Sequence, residues 1–202
     1  MLSTMSHCLG AKNYVNLVIG SKQETPIWLS VEEAAQVSHV ILRRSILDRL
    51  WQHCRIGASQ WKFASTYEGE NPDVVLVGIG VEVTFEVIAA AVMLHKMAPE
   101  LRIRVVNVTD LMVLGPLGSH PHALSNEAFA DLFTPDKPVH FSFHGYAIEL
   151  KGLLFGRPNL DRTNIQGYQE EGTTTTPLAV RRRPRDCLIS YPADTFPDAG
   201  FE

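Results

Sequence analysis

The sequence of 202 residues is short of several things that would commit it to a specialised setting. Three cysteines, Cys8, Cys54 and Cys187, are too few and too scattered for a disulfide framework or a zinc site, so a reducing, cytoplasmic setting is the default expectation. Basic charge is not in excess. Eighteen Lys and Arg stand against 22 Asp and Glu, and a net charge of −4 argues against general nucleic-acid binding, which needs a basic face. No apolar run approaches the roughly 20 residues of a membrane span. The opening MLSTMSHCLGAKNY carries no apolar core of signal-peptide length. Internal repeats and Gly/Ser linkers are absent as well.

What is present is a globular composition, 45% apolar and 20% charged, with short apolar runs alternating with helical patterns. Residues 14–20 (YVNLVIG) are rich in β-branched side chains and stop at Gly20-Ser21, which predicts a first strand. Ser30, with Glu33 three residues on and a Leu29/Ala34 staple, predicts a helix from about Val31. Residues 73–80 (DVVLVGIG) are apolar on both faces, as in the middle of a parallel sheet covered on both sides. A helix over 83–97 follows. Phe85, Ile88 and Val92 line one face of it and Val87, Ala91 and Leu94 the adjoining one, a stripe wide enough to predict substantial burial, with Pro99 at its end.

Further strands are expected at 103–108, at 138–143 with Pro138 in the tolerated first position, and near 163–167. Ser125 is placed to cap a short helix with Glu127 in its first turn, and another helix is expected over 147–155. This alternation implies an α/β fold, a mostly parallel sheet of about five strands with helices on both faces. Residues 37–52 and everything after Pro177 do not fit it.

Several groups invite a chemical reading. Gly78-Ile79-Gly80 ends a strand before a helix, but the third position of a dinucleotide fingerprint is Val83, so a tight turn explains it better. Gly20-Ser21-Lys22-Gln23 would place small residues and a cation at the carboxyl end of a strand, where ligands gather in open α/β sheets; from the chemistry alone a solvated surface lysine is the favoured reading. His140, His144 and Tyr146 cluster on the fourth strand. No nucleophile is evident beside them, so they read as structural, with His140 and Phe141 on opposite faces. His120-Pro121-His122 is poor support for a metal. Arg181-Arg182-Arg183 with Arg185 reads as a solvated run.

Taken together and in order, these segments resemble the C-terminal domain of the xylulose 5-phosphate/fructose 6-phosphate phosphoketolases. The resemblance is carried by His7-Cys8-Leu9, Lys12 to Asn16, Gly20 to Gln23, Trp28-Leu29-Ser30, His53-Cys54, Gly57-Ala58-Ser59 and Trp61. It continues through Val105 to Val108, Asp110-Leu111, Asp136 to Val139 and Phe143-His144-Gly145-Tyr146. Most specific is the run from Gly167 through Glu170-Glu171-Gly172 and four threonines to Pro177.

The resemblance implies a transketolase C-terminal-like domain over 1–177, with an insert near 37–52 and a divergent, disordered tail over 178–202. It also implies an enzyme that uses thiamine diphosphate and Mg²⁺ to cleave a ketose phosphate with inorganic phosphate. In that enzyme the cofactor is held by N-terminal domains, in a homodimer. Lys22 matches the family's lysine that reaches the substrate phosphate, with Ser21, Gln23 and His144 as possible supporting residues. No Gly-Asp-Gly with a following Asn occurs, so the chain alone is expected to bind no cofactor and to need the missing N-terminal domains or a homodimer partner. The alternative is a non-catalytic interaction module that pairs with a full-length phosphoketolase or with itself. Neither nucleic acid nor membrane is an expected partner.

Overall fold

The computed structural model describes residues 15, 17–20 and 57–168. The helix expected from Val31, the insert near 37–52, the threonine run and the tail lie outside the described residues. Among the described residues the chain builds one sheet with helices on both faces. Its strands are β1 (Ala58–Gln60), β2 (Val74–Ile79), β3 (Ile103–Val108), β4 (Val139–Tyr146) and β5 (Thr163–Tyr168), and its α-helices are α1 (Val81–Met97), α2 (Asn126–Phe133) and α3 (Ala147–Leu154). The spatial order is β1-β3-β2-β4-β5. β2 pairs parallel with both β3 and β4, β4 pairs parallel with β5, and β1 closes one edge antiparallel to β3.

Period-two alternation divides the core. Val75, Val77, Ile79, Val106, Val108, Val139 and Phe141 face one side, where Phe129 and Phe133 of α2 and Leu150 and Leu154 of α3 cover them. Val74, Leu76, Ile103 and Val105 face the other, against Val87, Ala91 and Leu94 of α1. Of the wide stripe expected on α1, only that second face is fully buried. Val92 is exposed, and Phe85 and Ile88 are only partly covered, because among the described residues a single helix lies on this side and none packs outside it.

The strand expected over 14–20 is a correction. Val15 and Leu17 to Gly20 carry no strand, and the described sheet offers them no partner. The fifth strand is instead β1, which lasts three residues before side chains take over its work. Trp61 N donates to Val105 O at 2.8 Å, Ser65 Oγ accepts from Val105 N at 2.9 Å, and Thr66 Oγ1 accepts from Ile103 N at 2.7 Å. The donors on the outer edge of β3 are thus satisfied by hydroxyls where a longer strand would otherwise be needed. No helix among the described residues is long and apolar enough to cross a membrane.

Three arginines hold the loops to this frame through carbonyls. Arg157, 4% exposed, donates to the carbonyls of Val113, Leu114 and Gly115 and to Asn126 Oδ1, and lies 4.5 Å from the Phe129 ring centroid. Arg104 donates to Gly69, Asp131 and Leu132, and Arg162 to Phe133, Thr134 and Lys137.

Candidate functional site

β2 leads through α1 to β3 on one side of it, and the chain then returns to lay β4 on the other side. The order therefore reverses between β2 and β4. In open α/β sheets the crevice outside the carboxyl ends of two such strands is where ligands gather.

The turn leaving β2 is shaped by two glycines. A Cβ on Gly78 would meet Thr84 Cα at 2.9 Å, and Gly80, at φ 112°, has no room for one, because His144 Cβ would lie 2.6 Å away. Thr84 Oγ1 donates back to Gly80 O at 2.6 Å, and Asn107 Nδ2 donates to Thr84 Oγ1 at 2.9 Å. The Gly-x-Gly therefore serves helix–strand packing, as the turn reading expected.

His144, on the β4 side of the reversal, faces the first turn of α1. Its Nδ1 lies 2.9 Å from Glu82 Oε2, with 57% of the imidazole and 22% of the carboxylate exposed. That contact orients the ring and leaves Nε2 as its other polar atom. Beyond it, Tyr146 pairs in register with Tyr168 of β5, their rings 5.5 Å apart and near perpendicular. Gly167 permits this approach, since a Cβ there would strike the Gly145 carbonyl and lie 2.6 Å from Ala147 N.

A second imidazole–carboxylate pair lies past β3. Asp110 Oδ1 accepts from Met112 N at 2.9 Å and caps the 3₁₀ turn Leu111–Leu114, while Oδ2 lies 2.7 Å from His122 Nδ1. His120 Nδ1 accepts from His122 N at 3.1 Å. Both histidines of the His-Pro-His segment are thus engaged in holding this loop. Among the described residues no group of three His, Cys, Asp or Glu is arranged to hold a metal ion.

His140 is 7% exposed, and burial lowers its pKa to about 4. It is a neutral, structural imidazole at physiological pH. At the opposite, amino-terminal edge a shallow opening of about 450 Å³ includes Asp73, Arg104, Asp131, Asp136 and Lys137 in its lining. Its arginine is committed to backbone carbonyls, which makes this opening part of the α2 anchorage.

Of the residues singled out in the sequence, His144 falls at the strand-order reversal, whereas Lys22, Ser21 and Gln23 lie outside the described residues. Glu82 and Asp110, which orient the two imidazoles, were not singled out as site residues. The signal for both was positional, since each follows a strand at the carboxyl edge of a parallel sheet.

The fold and this edge define a transketolase C-terminal-like α/β domain. A profile described as the XFP C-terminal domain matches residues 45–185, and the chain belongs to that family, the phosphoketolase C-terminal domains. A probable phosphoketolase of Schizosaccharomyces pombe is 51% identical over 177 residues, 88% of this chain and 19% of that protein. Probable phosphoketolase 1 of Rhizobium meliloti is 38% identical over 203 residues, 99% of this chain and 24% of the relative. A probable phosphoketolase of Chlorobaculum tepidum is 43% identical over 179 residues, 88% of this chain and 21% of the relative. The chain thus spans about a fifth to a quarter of the length of these relatives.

Proposed function

We propose that this chain acts as the C-terminal part of a thiamine diphosphate-dependent phosphoketolase. That enzyme would cleave xylulose 5-phosphate or fructose 6-phosphate with inorganic phosphate to acetyl phosphate and an aldose phosphate, in carbohydrate metabolism, as a cytoplasmic homodimer. The observation that carries the reading is the match of the C-terminal domain profile to 45–185 together with 51% identity to a probable phosphoketolase.

The residues on hand do not fit the cofactor. The sequence has no Gly-Asp-Gly with a following Asn, and the described residues offer no metal-holding cluster. No chemical step is therefore assigned to this chain, and the carbanion chemistry belongs to a cofactor bound by other domains. The contribution read for this chain is electrostatic. Lys22 makes a charge-assisted contact to the substrate phosphate, worth about 1.5–3 kcal/mol, with Ser21 and Gln23 beside it.

The test is steady-state kinetics of a full-length phosphoketolase carrying this chain as its C-terminal part. Lys22→Ala is expected to raise KM for the sugar phosphate about tenfold or more, with a smaller effect on kcat. Unchanged kinetics would refute the role. The second reading is a non-catalytic module that pairs with a full-length phosphoketolase or with itself. Co-purification with a full-length enzyme whose activity is indifferent to Lys22 would select it.

A further inference from the structure

α3 has two apolar faces and the sheet uses only one of them. Leu150 and Leu154 are buried in the core beneath it. On the opposite side Ile148 is 70% exposed and Phe155, the residue that ends the helix, is 81% exposed. Gly152 lies between them, one turn from each, so the three share a face. Apolar side chains grouped in this way on an outer helix mark a surface that another surface covers.

Gly152 shows that the cover comes close. Glycine inside a helix costs about 0.5–1 kcal/mol relative to alanine. Gly80 and Gly167 have near neighbours that exclude a side chain. At Gly152 a Cβ would meet nothing within 4 Å, and its φ is not positive. Among the described residues, then, nothing requires a glycine there. A bare backbone at the middle of an exposed apolar face lets a second backbone pack against it, since the separation of two helices is set by the side chains at their contact.

The flanks of the face say which backbone. Glu149 borders it on one side and Lys151 on the other, both exposed, and neither forms an ion pair among the described residues. Two residues apart on a helix, they do not face each other. When two identical helices lie parallel about a two-fold axis, opposite flanks meet, so Glu149 of each copy stands against Lys151 of the other. An antiparallel pair would set like charges together.

We propose that the Ile148–Gly152–Phe155 face of α3 docks a second copy of this chain, parallel about a two-fold axis, with Gly152 at the closest approach. The contact is small, at the low end of interfaces below about 1,200 Å², so the association is weak and depends on concentration. It goes beyond the phosphoketolase reading and uses none of the residues on which that reading turns.

Analytical ultracentrifugation of the whole chain over a concentration series reaching about 500 µM tests it. A monomer–dimer equilibrium is expected. Gly152→Arg is expected to weaken it at least about tenfold and to leave the Tm of the monomer unchanged, because its side chain enters open space. Glu149→Lys is expected to weaken pairing as well, and Glu149→Lys/Lys151→Glu to restore it. Mild oxidation of Ile148→Cys should join residue 148 to its own counterpart, seen by peptide mapping, as only the parallel arrangement allows. A chain that stays monomeric throughout overturns the proposal, as does a dimer indifferent to Gly152→Arg. Failure of the charge exchange to restore pairing also overturns it. A monomer that loses several degrees of Tm in Gly152→Arg overturns it too, since the chain's own terminal segments then cover the face. The Lys22→Ala kinetics bear only on the functional reading, so either result can fail without the other.

Discussion

At the scale of single residues, the two histidines of β4 illustrate how position decides chemistry. His140 is buried against the α1 side of the sheet and held neutral, its pKa lowered by desolvation to about 4, whereas His144 stands at the strand end on Glu82. Because the folded pKa of His140 is below its unfolded value of about 6.5, the unfolded chain binds the extra proton between those limits. Its stabilisation is present above pH 6.5 and is lost as pH falls toward 4, by on the order of 3 kcal/mol. Denaturant unfolding at pH 7 and pH 4.5 should show this share of the pH dependence in the wild type and not in His140→Leu. Parallel pH profiles would show that the imidazole is not desolvated. The alternation that separates His140 from Phe141 was legible in the sequence, since a strand's period is two. The Glu82 partner of His144 was not, because only the return of the chain beside β2 brings these distant residues together.

At the scale of elements, α2 shows how a helix of eight residues persists without strong intrinsic support. Ser125 Oγ accepts from Ala128 N at its start, as its sequence signature suggested, and Arg104 and Arg162 donate to the carbonyls at its end. Arg157 ties its first residue and Phe129 to the 3₁₀ turn after β3. Replacing Arg157 with Met keeps much of the side-chain volume but leaves buried carbonyls of Val113, Leu114 and Gly115 without this donor. A loss of about 2–4 kcal/mol is expected in thermal unfolding, and a loss below about 0.5 kcal/mol would mean that water replaces the guanidinium freely. None of the three arginines could be picked out beforehand, since their partners are backbone groups that carry no sequence signal. β2, β3, α1 and β5 were legible because fully or half-buried elements write their period into the chain. β1 was not, being a three-residue edge strand of sequence ASQ whose extension is a set of hydroxyl contacts. The run 14–20 failed in the opposite sense. Its strand propensity is real, but propensity names no neighbour, and the described sheet supplies none.

At the scale of the whole molecule, the family is established and the chain is about a fifth to a quarter of the size of its relatives. Its carboxyl edge offers two oriented imidazoles and an aromatic pair, with no cluster to hold a metal ion among the described residues. Calorimetric titration of this chain with thiamine diphosphate and Mg²⁺ is therefore expected to give no binding, and a micromolar affinity would place a complete cofactor site within these 202 residues. One detail of the same edge bears on how the two outer strands close. A Cβ at 167 would strike the Gly145 carbonyl, so β5 reaches its end beside Tyr146 only with glycine at that position. Any larger residue would push β5 away from β4 at the point where the two tyrosine rings meet.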